Sequence, residues 1–156
     1  AMMDLGATIC TPKKPLCDLC PVAADCRGQP EAEAYPVKAA KQPKPERFGR
    51  VWWIEADGHV ALIRRPAKGL LGGMRALPSC DWVGDDAPPP FAGEWQALGA
   101  VTHVFTHFRL NLQILGLRCP KQPTLAFEAD WWPIDRLHEA GLPTLFNKAA
   151  LVACQG

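Results

Sequence analysis

The 156-residue sequence contains no apolar run approaching the roughly 18 residues that a bilayer-spanning helix needs. Its first ten residues have no cationic stretch and no long apolar core, so no secretory signal is expected there. A strong net charge is also missing. Lys and Arg number 17 against 16 Asp and Glu, which excludes a globally basic nucleic-acid coat and an acidic tail. Disorder is disfavoured, because 48% of the residues are hydrophobic and 21% are charged. The length admits one full domain with a small appendage, and no internal repeat is detectable. An even complement of cysteines is absent as well. Seven is odd and the chain does not read as secreted, so a metal or cluster site is a better expectation than a disulfide framework.

The cysteines are unevenly placed. Cys10, Cys17, Cys20 and Cys26 fall within 17 residues, spaced C-x6-C-x2-C-x5-C. Cys80, Cys119 and Cys154 are scattered and read as small hydrophobes. Short loops stiffened by Pro12, Pro15 and Pro21 can bring the clustered four around one centre. Structural zinc commonly uses two separated pairs, whereas iron–sulfur clusters are held by four thiolates from compact loops. The spacing by itself leaves both open and leans toward iron–sulfur.

The segment Ala1-Met-Met-Asp-Leu-Gly-Ala-Thr-Ile-Cys10, with Thr11-Pro12 and Cys17-Asp-Leu-Cys20-Pro21, resembles the MutY adenine DNA glycosylases. All three cysteine spacings agree with that family. The resemblance implies a [4Fe–4S] cluster ligated by Cys10, Cys17, Cys20 and Cys26. It also implies phosphate contacts from the basic neighbours Lys13, Lys14 and Arg27. Asp4 belongs to the matching segment and is not expected to be catalytic.

Coarse organisation follows composition. Residues 1–27 are expected to be the end of a helix and the cluster loop, and residues 28–46 a linker rich in proline and lysine (Lys38, Lys41, Lys44). Residues 1–50 carry eight basic and six acidic side chains, so this half is slightly the more basic. Residues 47–156 read as an α+β domain. Strands are predicted at 51–56 and 60–65 around an Asp57-Gly58 hairpin turn, and again at 101–105 and 110–117. A Trp131-Trp132-Pro133 segment and short helices at 135–140 and 144–154 follow, with Trp52-Trp53 and Trp131-Trp132 expected in packing.

Arg64-Arg65-Pro66 and the Gly-rich 69–74 stretch resemble the entry to a Nudix domain, which implies a mixed sheet with flanking helices. Hydrolases of that fold continue as G-x5-E-x7-R-E-U-x-E-E, where carboxylates bind magnesium. Counted from Gly73, the first Glu slot is Ser79 and the others fall on Ala87, Pro88, Pro89, Pro90, Phe91 and Ala92. Counted from Gly72, the slots start at Pro78 and resume at Asp86, which fits no better. Neither register keeps the ligands, and three prolines would break the helix. Pyrophosphate hydrolysis is therefore not expected.

The resemblance gives this domain a recognition role instead. The family's Phe-Ser-His loop is matched by Phe105-Thr106-His107, and threonine keeps the hydroxyl. It implies that Phe105 stacks beside the damaged base, Thr106 bonds its Hoogsteen edge, and His107 serves a phosphate or the loop. By pattern alone, Phe105 and Phe108 read equally well as strand core, and His103 and His107 as ordinary histidines. No Asp or Glu occurs from Trp95 to Phe127, a stretch that includes Arg109, Arg118 and Lys121. Such a stretch suits a phosphate-facing surface, with Arg109 as a candidate contact. Arg64, Arg65, Lys68 and Arg75 form a second acid-free stretch that reads equally as a solvated loop.

Taken together, the resemblance implies the C-terminal portion of a base-excision-repair enzyme that removes adenine mispaired with 8-oxoguanine. Its substrate is double-stranded DNA with A:8-oxoguanine or A:G mispairs. The chain is expected to be a monomer, cytoplasmic and nucleoid-associated in a bacterium, without membrane contact. The catalytic acid and carboxylate lie in a missing N-terminal region, so this portion should bind and not cleave. The alternative is a stand-alone metal-binding adaptor with a non-catalytic Nudix-like domain.

Overall fold

Asp57 and Gly58 turn the chain with φ of 48° and 71°. Two successive positive φ values make the tight turn whose twist matches the strands on either side. Those strands are β1, Glu46–Ala56, and β2, His59–Arg64, which pair antiparallel next to the turn. The computed structural model describes residues 2–37, 42–82 and 87–155; Lys38 and Lys41 of the expected linker and Asp86 of the alternative hydrolase register lie outside them. The chain divides into two compact units, Ala1–Pro43 and Lys44–Gly156.

The first unit holds helix α1, Met2–Thr8, and three 3-10 turns at Cys17–Leu19, Ala23–Asp25 and Gln29–Ala34. None of these elements has a buried residue. The N–H groups of Ile9 and Cys10 both donate to the Leu5 carbonyl, at 2.9 and 2.7 Å, and this closes the helix.

The second unit adds β3 (Arg75–Ala76), β4 (Gln96–Val104), β5 (Arg109–Cys119), β6 (Asp130–Pro133), a 3-10 segment Ile134–Ala140 and helix α2 (Thr144–Gln155). The strands run β3-β2-β1-β5-β4, with β6 on β2. β1 and β5 pair in parallel from Glu46↔Arg109 to Ala56↔Cys119. The remaining pairs are antiparallel, so the α+β mixed sheet expected from sequence is present. β2 leaves β1 soon after the hairpin. Beyond that point residues 78–80 take its place, with Trp52 N–H donating to the Pro78 carbonyl at 2.8 Å and Cys80 N–H to the Arg50 carbonyl at 3.2 Å.

Alternation along β1 sorts its side chains to two faces. Trp53 joins Leu110, Leu112 and Ile114 under α2, where Phe146, Ala149 and Ala153 close the core. Trp52 and Ile54 point the other way, against Phe91, Trp95, Phe127 and Trp131. Both tryptophan pairs therefore pack as expected, one partner to each face. Residues 87–95 lie over this second face as irregular chain, with Trp95 Nε1 donating to the Phe91 carbonyl at 3.1 Å.

β3 and the start of β1 went unpredicted. β3 has two residues, and Glu46–Phe48 are exposed and not strongly apolar, so neither shows a period-two pattern.

Leu112 is fully buried in the larger cluster. Leu112→Ala should destabilise the second unit by about 2–5 kcal/mol through lost burial and a residual cavity. Urea unfolding followed by tryptophan fluorescence measures this; a shift below about 1 kcal/mol on the same scale would show that Leu112 is not at the centre of the core.

Candidate cluster site and nucleic-acid interface

The spacing of the clustered cysteines becomes geometry through a run of 3-10 turns. Cys20 N–H donates to the Cys17 carbonyl at 3.0 Å, Ala23 N–H to Cys20 at 3.1 Å, and Cys26 N–H to Ala23 at 3.1 Å. Extended backbone at Cys20 separates the first two 3-10 turns, and together they bring Cys17, Cys20, Ala23 and Cys26 to one cavity. Cys10 arrives from the end of α1, held near by Leu16 N–H donating to the Ile9 carbonyl at 2.9 Å.

All four cysteines, with Ala23, line one cavity of about 220 Å³ walled by Ile9, Ala32 and Tyr35. The thiols are not paired as disulfides. The Cys17 thiol is pushed up from its ordinary value, first by desolvation and then by the thiols of Cys10, Cys26 and Cys20 and by Asp18. Four thiolates so placed repel one another and need a cationic centre between them. A single tetrahedral zinc, with bonds of about 2.3 Å, would draw four sulfurs together with no cavity between them. The donor set and the cavity thus fit an iron–sulfur cluster, which Cys10, Cys17, Cys20 and Cys26 would hold. Lys13, Lys14 and Arg27 are exposed on this unit. The turn at Lys13-Lys14 is fixed by Thr11 Oγ1 donating to the Lys13 carbonyl at 2.9 Å and by Lys14 N–H donating to Glu33 at 3.2 Å.

In the second unit, Thr106 and His107 stand in the middle of the four-residue loop 105–108 between β4 and β5, both exposed. Phe105 N–H donates to the Phe108 carbonyl at 2.8 Å across its base. Behind the loop the rings form a ladder. Phe105 lies 4.7 Å from Phe108 and 5.9 Å from Trp82, in a stacked arrangement with the latter, and His103 meets its edge at 4.6 Å. Arg47 caps Phe108 at 4.2 Å and Arg65 caps Trp82 at 4.7 Å, within cation–π range. Phe108 is core, whereas Phe105 is half-buried. His103 is held below its ordinary value by burial and then by Lys148.

The other basic residues have local partners. Arg109 lies 3.8 Å from Glu46, both half exposed, so the pair adds little stability but offsets the charge. Arg64 donates to the Gly73 carbonyl at 3.1 Å, and Arg65 to the Leu70 carbonyl and to Ser79 Oγ, each at 3.2 Å. Burial pulls the Arg65 guanidinium down and Asp81 partly offsets this, but the group stays charged. Of the hydrolase slots, Ser79 is thus an acceptor for Arg65.

Three residues around the 105–108 loop escaped sequence reading: Trp82, Arg65 in its stacking role, and Lys44, whose Nζ donates to the Phe105 carbonyl at 2.6 Å. Trp82 covers β1 where a side chain on Gly49 would stand 2.8 Å from its ring. That glycine was the one local signal.

A match to the NUDIX domain family covers residues 50–151, and one to the iron–sulfur binding domain of endonuclease III covers residues 10–26. The adenine DNA glycosylase of Homo sapiens is 27% identical over 95% of this chain, which corresponds to 39% of the human protein. That of Arabidopsis thaliana is 35% identical over 51% of this chain and 15% of its own length. That of Buchnera aphidicola subsp. Schizaphis graminum is 24% identical over 94% of this chain and 46% of its own. The chain therefore spans less than half the length of these relatives. Among solved structures, the C-terminal domain of mouse MUTYH, in complex with human PCNA, superposes with a TM-score of 0.57 at 24% identity, covering 70% of this chain and 88% of that one. The MutT protein of Methanosarcina mazei Go1 superposes at 0.59 with 16% identity, covering 74% and 97%. These two likenesses establish the fold.

Two outcomes follow from the site geometry. Purified chain should contain iron and inorganic sulfide in equal amounts, and Cys20→Ser should lose both; zinc in their place would overturn the cluster assignment. Well above pH 6.5, His103 is neutral in the folded and unfolded chain alike. As pH falls through that value the unfolded chain takes a proton first, and stability declines until the lower folded value is passed. Urea midpoints measured across pH 7 to about 5 should fall less steeply in His103→Gln than in the parent; equal slopes would contradict this.

Proposed function

The chain belongs to the NUDIX family through residues 50–151, behind an iron–sulfur segment of the endonuclease III type, and from that premise we propose that it is the lesion-reading portion of an adenine DNA glycosylase. The whole enzyme removes adenine mispaired with 8-oxoguanine in double-stranded DNA. The catalytic acid and carboxylate belong to the part of the enzyme that lies outside this chain, which alone binds and does not cleave. The portion acts as a monomer on nucleoid DNA in a bacterial cytoplasm.

The observation that carries the reading is the exposed Thr106-His107 loop backed by the Phe105 ladder. 8-Oxoguanine differs from guanine on its Hoogsteen edge, where N7 carries a proton and C8 an oxygen. A hydroxyl can accept from the first and donate to the second. Thr106 offers that group at the tip of the loop, and the Phe105 ring offers a supported apolar face for the base. His107 beside it donates to a phosphate. Lys13, Lys14 and Arg27 supply sequence-independent phosphate contacts from the cluster unit, whose cluster orders their loop. Cluster segment first and NUDIX domain second is the order in which the relatives align over 95% of this chain.

Fluorescence anisotropy with paired duplexes, identical except for 8-oxoguanine or guanine opposite adenine, tests this. The chain should prefer the oxidised duplex, and Thr106→Ala should cut the preference by about fivefold to tenfold, the scale of one net hydrogen bond. An unchanged preference in the variant removes Thr106 from recognition.

A further inference from the structure

The start of the second unit closes around the recognition loop. Lys44 Nζ donates to the Phe105 carbonyl at 2.6 Å, and the Pro45 carbonyl accepts from Arg109 N–H at 3.0 Å. Glu46 lies 3.8 Å from Arg109, and Arg47 sits 4.2 Å over the Phe108 ring. Residues 44–47 thus touch the loop or its flanks at four points, although composition alone assigned most of them to a linker.

The frame reaches the loop through its backbone. Neither Thr106 nor His107 has positive φ, as suits a four-residue loop and unlike the two-residue turn at Asp57-Gly58. Within the loop Phe105 N–H donates to the Phe108 carbonyl, and the Phe105 carbonyl accepts from Lys44 outside it. The Phe105 carbonyl and the Thr106 N–H belong to one rigid peptide plane. A donor that fixes the carbonyl also fixes the direction in which Thr106 leaves the strand.

The cations around the loop are not equivalent. Arg109 is offset by Glu46, and Arg47 and Arg65 lie over rings. Lys44 is exposed and, among the described residues, makes no ion pair. An ammonium group has three N–H donors, and the Phe105 carbonyl takes one. Two remain at the edge of the loop.

Resting on the reading that this loop meets the damaged base, we propose that Lys44 is a positioning residue for Thr106 that also takes a phosphate of the lesion-bearing strand. It holds the Phe105–Thr106 peptide plane with one donor and grips the DNA backbone with the others, so phosphate binding and loop geometry are coupled through one side chain.

The full 156-residue chain with its cluster is titrated with the 8-oxoguanine duplex and its guanine counterpart at several salt concentrations. Lys44→Met should lower the slope of log affinity against log salt by about 0.9, the share of one phosphate. It should also reduce the preference for 8-oxoguanine about threefold, with the thermal midpoint unchanged. Lys44→Arg should restore the slope. A Lys44→Met variant with parental slope and preference overturns the assignment and leaves the recognition reading standing. Loss of preference with a lowered midpoint and no rescue of the slope by Lys44→Arg marks a merely structural role and also overturns it. A parent chain with no preference between the duplexes overturns both.

Discussion

The parallel pairing of β1 with β5 is the constraint on which the rest of the second unit depends. A parallel neighbour cannot be reached by a tight turn, so the chain must leave β1, build β2 to β4, and return. The register that results sets Glu46 opposite Arg109 and Val51 opposite Ile114. One end of the pair therefore fixes the loop between β4 and β5, and its middle fixes the core. The alternation of Trp52 and Trp53 then decides which covering element lies on which face. Helix α2 takes one face, and the irregular 87–95 segment takes the other.

The first unit obeys a different rule. Among the described residues its elements bury no side chain, and what they share is the cavity lined by the four cysteines. Cys17, Cys20 and Cys26 are spaced by three and six, and the turns bring these residues to that cavity with Ala23 between them. A cluster held by these thiolates would be a structural element of the loop that carries Lys13 and Lys14.

Much of this was legible in the sequence because it is local. Asp57-Gly58 announces its turn by residue type, the alternation of Leu110, Leu112 and Ile114 announces a strand, and the cysteine spacing announces a shared centre. The same pattern left Thr106-His107 between two strands but kept Phe105 in the first of them; the loop reading of all three came from the resemblance. The supports of that loop did not, because they are long-range. Lys44 reaches Phe105 across 61 residues, and in composition it is one more lysine in a proline-rich stretch. Trp82 lies between a bridge residue, Ser79, and the irregular chain, with no periodic signal around it. The arginines at 64 and 65 read as a solvated charged loop at least as well as a phosphate-facing surface. In the fold, they bond the backbone of the neighbouring glycine-rich loop.

The central claim is that the loop at Thr106 reads 8-oxoguanine from a frame built by residues 44–47 and Trp82. Amide chemical shifts recorded on the isotopically labelled chain, with and without duplex DNA, test it most directly. Replacing guanine by 8-oxoguanine opposite adenine should move the amides of residues 105–108 most, with Lys44 and Trp82 responding alongside. Identical shifts with both duplexes, or lesion-dependent shifts confined to residues far from that loop, would contradict the account.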